Sequence, residues 1–133
     1  MILKHENIFL VYKCELLKII DGDTLDLKIY FGLGFFCNAR IRLKGIDCPE
    51  VYHVKKTDPE FIRGKIATLV VKKWFYNSGP FYYVNAEHRD LYGRWLGEIW
   101  KSPGQGSLND YLIRAYYKSH YKNWYHQEPL SKL

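Results

Sequence analysis

The 133-residue chain is poor in the features that would mark a disulfide-braced or membrane-embedded protein. It has three cysteines, Cys14, Cys37 and Cys48. An odd, scattered set without a CxxC pair provides neither a disulfide framework nor a thiolate zinc site. They are expected to be reduced thiols. No apolar run is long enough to span a bilayer. At the N-terminus, Glu6 closely follows Lys4, and the apolar stretch from Ile8 to Tyr12 is too short for a secretory core. The expectation is a cytoplasmic protein with no membrane association. The closing Ser131-Lys132-Leu133 matches a peroxisomal address, but a three-residue match is weak and is taken as coincidence. Repeats and low-complexity segments are also missing. A single domain over residues 1–133 is therefore expected, with a core at about 8–120 and a tail at 121–133.

What the chain does have is apolar, aromatic and basic. Its 47% hydrophobic content can fill one core. Its net charge of +6 favours an anionic partner. Aromatics make up 17% of it, with 12 Tyr and 4 Trp. Most of these belong in the core of a small barrel, although aromatics interleaved with cations also suit a nucleic-acid surface.

The residues from Ile8 to Ile20 read as a first strand, followed by turn chemistry at Asp21-Gly22-Asp23. Leu25, Leu27 and Ile29 alternate with polar residues as a half-buried second strand. Phe31 to Phe36, with two glycines, reads as a loop. In the third strand Ile41 and Leu43 face one way, and Arg40, Arg42 and Lys44 face the other as a basic stripe. Asp58-Pro59-Glu60 starts a helix, whose apolar stripe is predicted as Ile62, Ile66, Leu69, Val70 and Trp74. Asn77-Ser78-Gly79-Pro80 ends it. Phe81 to Ala86 and Trp95 to Trp100 read as further strands. Ser107 to Asp110 resembles a capping box that opens a second helix to about Ser119, with Leu108, Tyr111, Leu112 and Ala115 inward. Five strands with a helix after the third predict an α+β protein, a five-stranded OB-type barrel with a second helix after strand five.

The chemistry concentrates in Arg42-Leu43-Lys44-Gly45-Ile46-Asp47-Cys48-Pro49-Glu50. A strand carrying a guanidinium ends there in two acids. Asp23 supplies a third acid in a turn, and Arg94 a second guanidinium. Carboxylate oxygens suit hard cations such as Ca²⁺ or Mg²⁺, and Asp21-Gly22-Asp23 lacks the remaining positions of an EF-hand. Arginines bind phosphate bidentately at any working pH. Phosphodiester cleavage needs a polarising metal, an activated water and cations to meet the developing charge. Taken singly, each acid also reads as a turn or capping residue, Arg42 as half of a cross-strand ion pair, and Arg94 as a surface turn residue.

Four blocks together resemble the staphylococcal nuclease-like (thermonuclease) family: Ile20 to Thr24, Arg42 to Glu50, Asp90-Leu91-Tyr92-Gly93-Arg94, and Leu108 to Tyr116. The resemblance implies an OB-fold, Ca²⁺-dependent endonuclease or phosphodiesterase. Such an enzyme cleaves DNA and RNA with little sequence preference and leaves 3′-phosphate ends. It implies that Asp23, Asp47 and the backbone carbonyl of Cys48 hold the metal, with Mg²⁺ or Mn²⁺ as possible substitutes. Glu50 takes the position of the general base. Arg42 and Arg94 match the arginines that stabilise the transition state, and Tyr92 an aromatic beside the nucleotide. Arg40 and Lys44 are further candidates for substrate contact.

The chain departs from the family at Cys48, where threonine is common, and at Leu91, where well-known members hold a lysine. Phe31 to Cys37 is bulkier than usual, and few residues follow the second helix. The tail from Tyr121 to Tyr125 is aromatic and basic. The expected partner is DNA or RNA, and the expected state a monomer, with an oligomer left open. A non-catalytic nucleic-acid-binding OB module and a protein-interaction domain are the competing readings. A degenerate domain should lack one of the acids or arginines, and here Asp23, Arg42, Asp47, Glu50 and Arg94 are all present.

Overall fold

The computed structural model describes residues 10–48, 55–89, 91 and 93–117, without the side chains of 88 and 115–117. Five strands form a closed barrel in the order β1-β2-β3-β5-β4: β1 Tyr12–Ile19, β2 Thr24–Gly32, β3 Phe35–Leu43, β4 Phe81–Arg89 and β5 Trp95–Trp100. Helix α1, Pro59–Phe75, lies between β3 and β4 in sequence. Helix α2, Leu108–Tyr111, follows β5 and runs on as a π-helical stretch over Leu112–Tyr117. This is the five-stranded α+β barrel with two helices expected from the sequence.

Alternation sets the strands. Leu25, Leu27 and Ile29 of β2 and Ile41 and Leu43 of β3 point inward with Cys14, Val84 and Ile99. Each large aliphatic so buried contributes about 1.5–3 kcal/mol. The barrel closes because β3 pairs in parallel with β5, Ile41 opposite Trp95 and Leu43 opposite Gly97. A Cβ at Gly97 would stand 2.8 Å from Ile41 Cγ2, so glycine permits that approach.

Several expectations change: β4 runs to Arg89 rather than Ala86, and the second helix is π-helical from Leu112. Phe31–Phe36 is not a loop: both strands continue through it, and the turn is only Leu33-Gly34. Their φ angles are 54° and 84°, the paired left-handed conformations of a type I′ hairpin. The α1 stripe also differs. Asp58 caps the helix, its carboxylate accepting from Glu60 N–H at 2.8 Å. The buried positions, however, are Gly64, Ala67, Thr68, Val71, Trp74 and Phe75. Ile62 is 54% exposed and Leu69 60%. The helix turns Gly64, Ala67 and Thr68 inward together with Val71, Trp74 and Phe75, and one end of the barrel reaches its surface at Ala67. A Cβ on Gly22 would lie 2.8 Å from Ala67 Cβ and 2.6 Å from Cys48 Sγ.

Candidate active site

Strand register assembles the site. Antiparallel pairing sets Thr24 opposite Arg42, and parallel pairing sets Arg42 opposite Leu96. The residue before Thr24 is Asp23, and Arg94 lies two residues before Leu96. Three separated pieces of chain therefore meet at one level of the barrel. The Asp23 carbonyl accepts from Leu43 N–H at 2.7 Å, and Asp21 Oδ1 from Asp23 N–H at 3.0 Å, which fixes the turn.

Asp23 is only 8% exposed. Its Oδ1 accepts from the Thr24 hydroxyl at 2.8 Å and its Oδ2 from Cys48 N–H at 3.0 Å. Arg42 stands between two acids. Its Nη2 donates to Asp47 Oδ1 at 3.2 Å and to the Ile46 carbonyl at 2.8 Å, and its Nε lies 3.6 Å from Asp23 Oδ2. That last distance is an ion pair but too long for a hydrogen bond, and Nε is buried with no hydrogen-bond partner. Arg94 Nη1 donates to Thr24 Oγ1 at 3.4 Å. One hydroxyl thus joins the buried acid to the second arginine.

The structure brings Asp23, Arg42, Asp47, Cys48 and Arg94 into this cluster. Glu50 and Tyr92 lie outside the described residues. Arg40 and Lys44 stand on either side of Arg42 along the chain, and each meets an acid. Arg40 forms a two-point pair with Asp26 at 2.8 and 3.0 Å, which holds the Asp26 carboxyl below its usual range. Lys44 pairs with Glu87, which pushes the lysine up. The basic stripe read from the sequence is therefore a row of cations facing acids from β2, β4 and the site itself. Exposed pairs of this kind add little stability.

Two polar residues that sequence reasoning missed hold the arrangement. Thr24 is one; its signal was a hydroxyl directly after a turn acid. Asn109 is the other, buried on α2. Its Nδ2 donates to the carbonyls of Lys44 at 2.9 Å and Gly97 at 3.0 Å, and its Oδ1 accepts from Ile99 N–H at 3.4 Å. It clasps the end of β3 to β5 just beyond Arg42. Its signal was a polar residue beside the inward-facing Leu108.

The donor set fits a hard divalent cation. Asp23, Asp47 and the Cys48 carbonyl offer oxygen only. Among the described residues no group of three His, Cys, Asp or Glu side chains converges, so a cation here would take the Cys48 carbonyl beside the two carboxylates. Asp21, Asp23 and Asp47 surround the Cys48 thiol together with the Arg42 guanidinium. Burial first, and then these acids, push the Cys48 thiol well above its ordinary range.

A family model described as "Staphylococcal nuclease homologue" matches residues 40–132, well over half of the chain. The chain belongs to the staphylococcal nuclease homologue family. The match starts at Arg40, so the Asp23 turn joins the family segment through the strand register rather than through that match. The chain is 32% identical over 111 residues to "Endonuclease YhcR" of Bacillus subtilis (strain 168), covering 80% of this chain and 9% of that protein. It is 31% identical over 101 residues to an "Uncharacterized endonuclease" of Escherichia coli O157:H7, covering 76% of this chain and 56% of that one. To the "Thermonuclease" of Staphylococcus intermedius it is 34% identical over 83 residues, covering 62% of this chain and 45% of that one. The chain thus spans from about a tenth to little more than half of these relatives' length. Among the described residues no helix is long and apolar enough to cross a membrane.

Proposed function

We propose that this domain is a metal-dependent nuclease that hydrolyses phosphodiester bonds of DNA or RNA with low sequence specificity. The observation that carries this reading is the meeting of Asp23, Arg42, Asp47 and Arg94 at one level of the barrel, in a chain of a nuclease family. A divalent cation held by Asp23, Asp47 and the Cys48 carbonyl, Ca²⁺ first and Mg²⁺ or Mn²⁺ as substitutes, would polarise the phosphate and acidify a water. Arg42 and Arg94 are the fixed cations for the negative charge that grows on the phosphate oxygens. Thr24 orients Arg94, and Asp23 and Asp47 orient Arg42, so little reorganisation is needed as charge develops. Glu50, by its place in the sequence, is proposed to take the proton from the attacking water. Tyr92 is proposed beside the nucleotide, with Arg40 and Lys44 flanking the phosphate backbone.

The test is cleavage of plasmid DNA and of a plain RNA by purified protein. Ca²⁺ is expected to switch cleavage on and EDTA to abolish it. No cleavage with Ca²⁺, Mg²⁺ or Mn²⁺ would overturn the reading and favour the non-catalytic binding module. Arg94→Ala is expected to cut the rate by about two to three decades with little change in melting temperature. Unchanged activity would remove Arg94 from the mechanism.

A further inference from the structure

The candidate site leaves one aromatic and basic cluster unused. Lys28, Tyr30 and Phe36 lie near the end of the β2–β3 hairpin, and Lys13 and Phe81 lie beside them on β1 and β4. Tyr30 packs on Phe36, ring centroids 6.5 Å apart, and on Phe81, 6.2 Å apart. Lys13 Nζ sits 4.4 Å from the Phe81 centroid, and Lys28 Nζ 4.2 Å from that of Phe36. These rings are outside the core: Phe36 is 53% exposed and Phe81 42%.

Their placement relative to the site follows from strand alternation. Phe36, Asn38, Arg40 and Arg42 share the outward face of β3, and Tyr30, Lys28, Asp26 and Thr24 stand opposite them on β2. From Arg42 to Phe36 is six residues, about 20 Å at ~3.3 Å per residue. That distance equals about six nucleotides at the ~3.4 Å spacing along one strand. Between the two ends Arg40 is closed on Asp26. Lys28 is therefore the next lysine along this face, at the ring cluster itself.

We propose that this outer face is a second, stacking subsite for the single-stranded flank of the substrate whose phosphate lies at Arg42 and Arg94. Phe36, Tyr30 and Phe81 supply ring faces for bases. Lys28 and Lys13, now lying on those rings, swing on their flexible stems to the phosphates. Glu15, opposite Lys28 and Phe81 in register, accepts from the Tyr30 hydroxyl; two ammoniums against that one carboxylate leave the cluster cationic beside its apolar ring faces, the complement of a strand of stacked bases carrying phosphates. This proposal rests on the nuclease reading for its substrate.

The experiment measures binding of fluorescein-labelled oligothymidylate by anisotropy, in EDTA so that nothing is cleaved. A 12-mer reaches both subsites and a dinucleotide reaches one. Phe36→Ala is expected to weaken 12-mer binding about tenfold or more, while dinucleotide binding changes less than twofold. Lys28→Gln is expected to lower the slope of log Kd against log salt by a little under one. Lys28 lies on the barrel's outer face, so Lys28→Gln decides the matter even if Phe36→Ala melts early. Parent-like 12-mer binding by both variants, or no 12-mer binding by the parent, overturns the subsite. If the parent cleaves DNA while both variants bind like the parent, the nuclease reading stands and the subsite falls. If the parent never cleaves but loses 12-mer affinity with Phe36→Ala, the subsite stands and the nuclease reading falls.

Discussion

Single side chains decide how firmly the site is held. Asn109 spans contacts that are 65, 12 and 10 residues apart in sequence, which is why no local pattern revealed it. Asn109→Leu would take the Asn109 donor from the Lys44 carbonyl and leave the Gly97 carbonyl with the Lys44 N–H alone, at a cost of about 1–3 kcal/mol. Urea unfolding should show a lower midpoint with an unchanged slope. The cysteines make a sharper contrast. Cys37 is exposed on β3. Burial, with a small contribution from Glu15, pushes Cys14 up to about 12, and Cys48 is also pushed well up. Below such a raised value the thiol stays protonated, and the protonated form does not attack. Iodoacetamide at pH 8 should therefore modify Cys37 in the folded protein and leave Cys14 and Cys48 until it unfolds, as peptide mapping would show. Asp23, Arg42, Asp47 and Arg94 were legible because each stood in a compact motif. Thr24 and Asn109 were not, because their roles depend on which carbonyl or guanidinium the fold brings to them.

At the level of elements, caps and alternation were readable, and facing was less so. Asp58-Pro59 marked the start of α1, and Trp95–Trp100 was read with its bounds unchanged. The buried stripe of α1 was misread because hydrophobicity singled out Ile62, Ile66 and Leu69. The barrel instead required the close approach that Ala67 allows at the Gly22 turn. The hairpin was misread for the opposite reason: its two glycines looked like a break, although Gly32 ends β2 and Gly34 completes a tight turn. Leu33 holds a φ of 54° with its side chain 98% exposed. It therefore has backbone strain and no packing to offset it. Asparagine tolerates that conformation and, ahead of Gly34, makes the preferred pair for this turn. Leu33→Asn should recover part of the about 1–2 kcal/mol that the left-handed conformation costs, raising the melting temperature by a few degrees.

For the whole molecule, the sequence predicted that three distant blocks would meet, and the register of β2, β3 and β5 brings them together. What it could not convey was charge pairing: Asp26 and Glu87 face Arg40 and Lys44 only because β2 and β4 run where they do. The contact at Gly22 has a consequence for how the protein fails. The Asp21-Gly22-Asp23 turn, the Cys48 segment and α1 touch at a point with no room for another side chain, as the three stones of an arch touch. None can shift without releasing the others, so the candidate site has no independent melting step. On heating, cleavage activity and the helical circular dichroism signal should disappear over the same few degrees. Gly22→Ala should lower both midpoints together by the equivalent of about 1–3 kcal/mol. An activity curve that fell well before the helical signal would show that the arch has no keystone there.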